Sequence, residues 1–136
     1  MIHSRNVREP RVHRATPILG VALLLLCVVP GAQAQKSTEQ FIPIGKSPGI
    51  SEKLTAIGTL VTVKPLEHTF TVSEPAARRT VLMTARTRIW IDRSALKLPS
   101  IVGTYADIQP GRRVEVKFED PIRRDVAEWV KVEAPR

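Results

Sequence analysis

The chain is poor in the residues that most catalytic and metal chemistry needs. Of its 136 residues one is cysteine, Cys27, and three are histidine, of which only His68 lies beyond the first 34 positions. Aromatics amount to three Phe, two Trp and one Tyr. No stretch of 18 apolar residues occurs, so a membrane-spanning helix is not indicated. No serine stands in a G-x-S-x-G elbow, and Ser73 near His68 does not make a triad, because a triad is a matter of geometry. Glu119-Asp120, followed by Arg123-Arg124 and Asp125, reads as a charged hairpin loop, not as a catalytic carboxylate pair. The chain therefore reads as non-catalytic, with no cofactor.

Cys27 falls inside an export signal. Arg5, Arg8, Arg11 and Arg14 outweigh Glu9, the apolar run 18–29 follows, Pro30-Gly31 breaks it, and Ala32-Gln33-Ala34 supplies an A-x-A cut site. A basic start, an apolar middle and a small-residue end are the three parts of a secretory signal peptide, so residues 1–34 are expected to be removed after Ala34. The alternative is an uncleaved leader, which would be the chain's only contact with a membrane. Leu26 occupies the place before Cys27 where a lipobox needs a small residue, which argues against lipidation. Cleavage leaves no thiol, and so excludes disulfides, cysteine-ligated zinc and cysteine nucleophiles. The product would be periplasmic or secreted.

The net charge of +8 falls to +5 once the leader is gone, with 17 cations against 12 acids. That charge favours solubility and some affinity for anionic partners. About 100 residues remain, enough for one domain burying roughly 60 to 70% of its surface. Residues 35–53 carry Pro43, Gly45, Pro48 and Gly49 among small polar residues, a composition that predicts a flexible linker. Its apolar exceptions are Phe41, Ile42, Ile44 and Ile50. Either they pack loosely on the domain, or Phe41-Ile42 docks into an apolar groove or a partner.

From Leu54 the apolar period is two. A first strand covers 54–63, with Gly58 marking a bulge or a bend; 64–67 form a turn; a second strand centres on Phe70-Thr71-Val72. Pro75 makes 74–79 a loop. A third strand, in two pieces, lies within 80–91. Residues 94–109 are interrupted by Pro99 and Gly103, with a single helical turn expected at 105–108. Pro110-Gly111 forms the corner before a fourth strand, in which Val114, Val116 and Phe118 share a face. The last strand, 125–133, alternates imperfectly, which predicts an extra residue bulged near Glu128 or Trp129. The expected fold is all-β, a five-stranded OB-like small barrel over 54–133 with one short helical turn and a tail at 134–136.

Gly58-Thr59-Leu60-Val61-Thr62-Val63, His68-Thr69-Phe70-Thr71-Val72, Thr87-Arg88-Ile89, the run 106–116 and Val126-Ala127 together resemble a group of exported bacterial domains of unknown function with an OB-like small barrel. The likeness covers most of 54–133 and implies the fold. It brings no catalytic residues.

Two binding readings follow. The parity that sends aliphatics inward puts Arg86, Arg88 and Trp90, then Arg113, Glu115 and Lys117, then Trp129 and Lys131, on the opposite face. Third and last strands are neighbours in OB topology, so Trp90 and Trp129 are expected side by side and exposed among cations, as a platform formed with Arg86, Arg88 and Lys131. The alternative is that Lys and Arg stems lie over the indoles as cation–π pairs and nothing else binds. Export argues against nucleic acid, the usual ligand of such a face. An envelope protein or a polyanionic envelope component fits better, bound by a monomer.

The second reading is a periplasmic Cu/Ag-handling protein with His68 and Met83 as ligands, since thioether sulfur suits Cu(I). Exported OB barrels that bind monovalent copper or silver use His and Met ligands with a Trp nearby. Beyond the leader this chain departs from them in having one methionine, Met83, with no histidine beside it in sequence. Met83 as a gap-filling core residue is the competing account.

Overall fold

The computed structural model describes residues 38–136. The leader and the cut site after Ala34 lie outside the described residues. Seven strands form one mixed sheet: β1 (Thr55–Lys64), β2 (Thr69–Ser73), β3 (Arg78–Leu82), β4 (Arg88–Asp92), β5 (Ile101–Val102), β6 (Arg113–Phe118) and β7 (Ala127–Glu133). Their hydrogen-bonded order is β3-β2-β1-β6-β7-β4-β5. All pairings are antiparallel except β4 with β7. The fold is all-β, as the period of two requires.

Seven strands replace the expected five for two local reasons. The third strand is broken by a Thr84–Thr87 turn, in which Thr87 N–H donates to the Thr84 carbonyl at 3.0 Å, so that it counts as β3 and β4. Two residues of the 94–109 connection then pair with β4 as β5. The rest of that connection makes single 3-10 turns at Ser94–Leu96 and Tyr105–Asp107, the second held by a Thr104/Asp107 capping box.

Long β1 serves two partners. Thr55 to Thr59 pair with β6, and Thr59 to Lys64 pair with β2. Gly58 stands where the change is made. A Cβ there would lie 2.2 Å from the Ser73 carbonyl oxygen, so its role is close approach of two backbones. The irregular register falls two residues later, between Leu60 and Thr62. The bulge expected near the chain's end is present: Lys117 pairs with Trp129 and Phe118 with Ala127, which leaves Glu128 as the extra residue. Gly111, at φ 85°, completes the corner before β6, and its N–H donates to the Leu60 carbonyl at 2.7 Å.

The sheet curls around a core of Leu60, Phe70, Val72, Val81, Met83, Ile108, Val114, Val116, Phe118, Val130 and Val132. Edge strand β3 approaches the start of β7. Leu82 makes a parallel bridge with Val126, and its N–H donates to the Asp125 carbonyl at 2.8 Å.

The segment expected to be a flexible linker is, from Thr38 on, a strap of successive turns laid on the outer face of β4, β7 and β6. Glu39, Ile44 and Ser47 are buried in it. Composition misjudged it because its order rests on polar pairing to the sheet, not on buried apolar surface. Phe41, one of the two residues named in the docking alternative, is 58% exposed, and Ile44 is the side chain that sinks, at 4%.

Candidate functional site

The outer face is set by register. Trp90 pairs with Lys131 and Lys131 with Glu115, while Arg88 pairs with Trp129 and Trp129 with Lys117. Side chains at paired positions stand on the same face of a pleated sheet. Trp90, Trp129, Lys131 and Glu115 thus form one cluster, and their expected adjacency holds: the Trp90 and Trp129 ring centroids are 5.6 Å apart at an interplanar angle of 38°.

Their expected exposure does not hold. Trp90 is 4% exposed, Trp129 3% and Lys131 1%. Neither indole belongs to the main core cluster, so both are buried from the outside, beneath the strap. Lys131 Nζ lies 4.6 Å from the centre of the Trp129 ring and donates to Glu39 Oε1 at 2.5 Å and to Ser47 Oγ at 3.3 Å. The Ser47 hydroxyl also donates to Glu39. The arrangement is the cation–π alternative, with an acid added above the lysine. A buried ammonium needs such company, because an unpaired charge away from water is very costly.

Two more buried carboxylates receive the strap. Asp92 Oδ2 accepts from Ile44 N–H at 2.8 Å. Glu115 Oε2 accepts from Gly45 N–H at 2.8 Å, and its Oε1 accepts from Ser51 Oγ at 2.6 Å and Thr55 Oγ1 at 3.0 Å. None of Glu39, Asp92 or Glu115 stood out in the sequence as a site residue. Glu115 and Asp92 do, however, lie at the outward parity, where a charge draws no notice.

Arg86 and Arg88 do remain at the surface, lining a recess with Glu119, Glu128 and Trp129. The basic field expected there is largely neutralised. Arg86 bonds Glu119 at 3.2 Å, Lys117 bonds Glu128 at 2.7 Å, and Lys131 is taken by Glu39. A polyanion would have to displace these acids.

The second candidate site gains from the structure. His68 and Met83, fifteen positions apart in sequence, line one recess with Thr84, Ala85, Thr87, Ile89 and Tyr105. The β2–β3 hairpin brings them together: Met83 N–H donates to the His68 carbonyl at 2.8 Å, extending the ladder beyond Thr69 and Leu82. His68 ends the Pro65–Glu67 turn in the left-handed region at φ 53° and is exposed. Met83 is buried and is also a core residue, at 5% exposure.

Tyr105, which sequence reasoning passed over, completes the recess. Its ring meets the imidazole edge-on at 5.4 Å, and its hydroxyl donates to the Lys64 carbonyl at 3.2 Å. Partial burial raises the phenol above its ordinary pKa, so the ring stays neutral across physiological pH. The signal for it was the single helical turn expected at 105–108. Among the described residues no three His, Asp or Glu side chains gather as a metal cluster.

Comparison with protein-family models finds no match, and comparison with curated proteins finds none. Among solved structures the chain is similar to one titled "Crystal structure of Ag(I)CusF", at 14% identity and a TM-score of 0.40, over 57% of this chain and 93% of that one.

Proposed function

We propose that this chain is an exported, non-catalytic binding module of the cell envelope, an OB-like small barrel that takes a soft monovalent cation, Cu(I) or Ag(I), at His68 and Met83. One observation carries the cation reading: the sole imidazole and the sole thioether among residues 38–136 line the same recess. Both are soft or borderline donors, and thioether and imidazole together suit Cu(I). Two donors are enough for the low coordination numbers these ions accept. The metal is cargo here, not a resident cofactor.

The OB-like reading rests on counting β3 and β4 as one broken third strand. Its first half pairs with β2 and its second half, in parallel, with β7, and the Leu82–Val126 bridge spans the break. That order of neighbours is the one a five-stranded OB barrel uses. The export reading rests on the leader's three-part composition.

The test is titration of the exported protein with Ag(I), followed through the Met83 ε-methyl and His68 ring resonances. Both should move together and saturate at one equivalent. Met83→Leu and His68→Ala should each weaken binding by at least about tenfold, or about 1.4 kcal/mol. If neither resonance moves, or both substitutions leave binding intact, the cation reading is lost.

A further inference from the structure

Beneath the strap the outer face of β4, β7 and β6 is built to hold a peptide. Three buried charged side chains on three neighbouring strands each take hold of a different part of the strap's run of turns. Lys131 receives the Glu39 carboxylate, Asp92 the Ile44 amide and Glu115 the Gly45 amide. Two of these contacts go to consecutive main-chain N–H groups, which any sequence except proline supplies. The specificity comes from the rest: a carboxylate five residues ahead of an aliphatic side chain, then a glycine, since Gly45 sits at φ 79° where other residues are strained. Trp90 and Trp129 form the apolar floor.

The way the strap is held makes it detachable. Ile44 is its one deeply buried apolar side chain, and Phe41 is left outside. Its other anchors are polar, the Glu39 carboxylate, the Ser47 and Ser51 hydroxyls and two main-chain N–H groups, and their partners on the sheet are charged, so opening returns these groups to water. A cover sealed by several aliphatics would recover no such hydration. The strap joins β1 through Glu52, a non-glycine residue in the left-handed region at φ 66°.

We infer that the Trp90–Trp129–Lys131 face is a peptide groove whose present occupant is the chain's own strap. Its partner is a protein segment that presents a carboxylate five residues before an aliphatic-glycine pair and adopts the same turns, and it displaces the strap in trans. This surface is separate from the His68–Met83 recess, and its failure would leave that site untouched.

The probe is a fluorescent synthetic peptide of residues 38–51, followed by anisotropy. The exported protein carrying Glu39→Ala with Ile44→Ala, whose own strap is weakened, should bind it at least about tenfold more tightly than the wild type, where the resident strap competes. Lys131→Met in the weakened background should lose most of that binding. No saturable binding to the weakened protein with its β-sheet circular dichroism intact overturns the inference, as does binding indifferent to Lys131→Met. Should the weakened protein not fold, hydrogen exchange on the wild type decides. Ile44 and Gly45 amides exchanging at least about a hundredfold faster than Val116 support a detachable strap, and exchange at the rate of Val116 overturns it.

Discussion

Trp90 and Trp129 stand 5.6 Å apart on parallel neighbours β4 and β7, and both are sealed from solvent although their parity turns them away from the core. The barrel wall is therefore packed on both faces in this region: aliphatics line the inside, and two indoles with three buried charges line the outside. Tryptophan emission of the native protein should lie toward the blue and resist acrylamide. Trp129→Ala should cost about 3 to 5 kcal/mol, the range for emptying a buried indole. Red-shifted emission that acrylamide quenches freely would show the strap is not seated as described.

The Glu39–Lys131 pair is buried on both sides, at side-chain exposures of 8% and 1%. Removing one partner strands the other's charge. Lys131→Met alone should destabilise the protein by about 3 to 5 kcal/mol, while Lys131→Met with Glu39→Leu should recover much of that loss, because apolar replacement of a whole buried pair is often neutral or better. Urea denaturation of the two single variants and the double variant gives the coupling directly. Additive losses would mean the two groups do not depend on each other.

Gly58 and Gly49 separate two reasons for keeping glycine. At Gly58 the backbone is ordinary and the obstacle is the Ser73 carbonyl, 2.2 Å from where a Cβ would go. At Gly49 the space is open, and only φ 72° stands against a side chain. Gly58→Ala must push β1 and β2 apart and should cost about 3 kcal/mol or more. Gly49→Ala should cost about 1 kcal/mol. Equal losses in thermal unfolding would contradict the difference in cause.

Most of the sheet was legible from alternation alone. Val114, Val116 and Phe118 fixed one strand's inward face, and the broken rhythm of Ala127, Val130 and Val132 pointed to a bulge near Glu128 or Trp129, which the structure puts at Glu128. The strap was not legible. Its order depends on Glu39, Ile44 and Ser47 meeting Lys131 and Asp92, 48 to 92 positions later, and no local pattern encodes such a meeting. The exposure of the indoles failed for the same reason: parity tells which way a side chain points, not what lies over it. His68 and Met83 looked distant in sequence only because the hairpin that joins them had not been closed.

Asp120 offers a test of the loop between β6 and β7. Its Oδ1 accepts from the N–H groups of Ile122 at 2.8 Å and Arg123 at 3.2 Å. Those two backbone bonds, followed by the positive charge of Arg123, hold its pKa below the ordinary carboxylate value. A carboxyl whose folded pKa is depressed adds stability that is fully present above its unfolded pKa, about 3.9, and is lost as pH falls through the lower folded value. Asp120→Asn removes the charge at every pH. Its melting temperature should therefore lie below wild type at pH 7, and the gap should narrow as pH drops below about 3.9 toward the folded pKa. The group is fully exposed, so the gap should be small and should shrink with added salt. A gap that stays constant from pH 7 down to pH 2 would show that the substitution acts through loop shape and not through the charge.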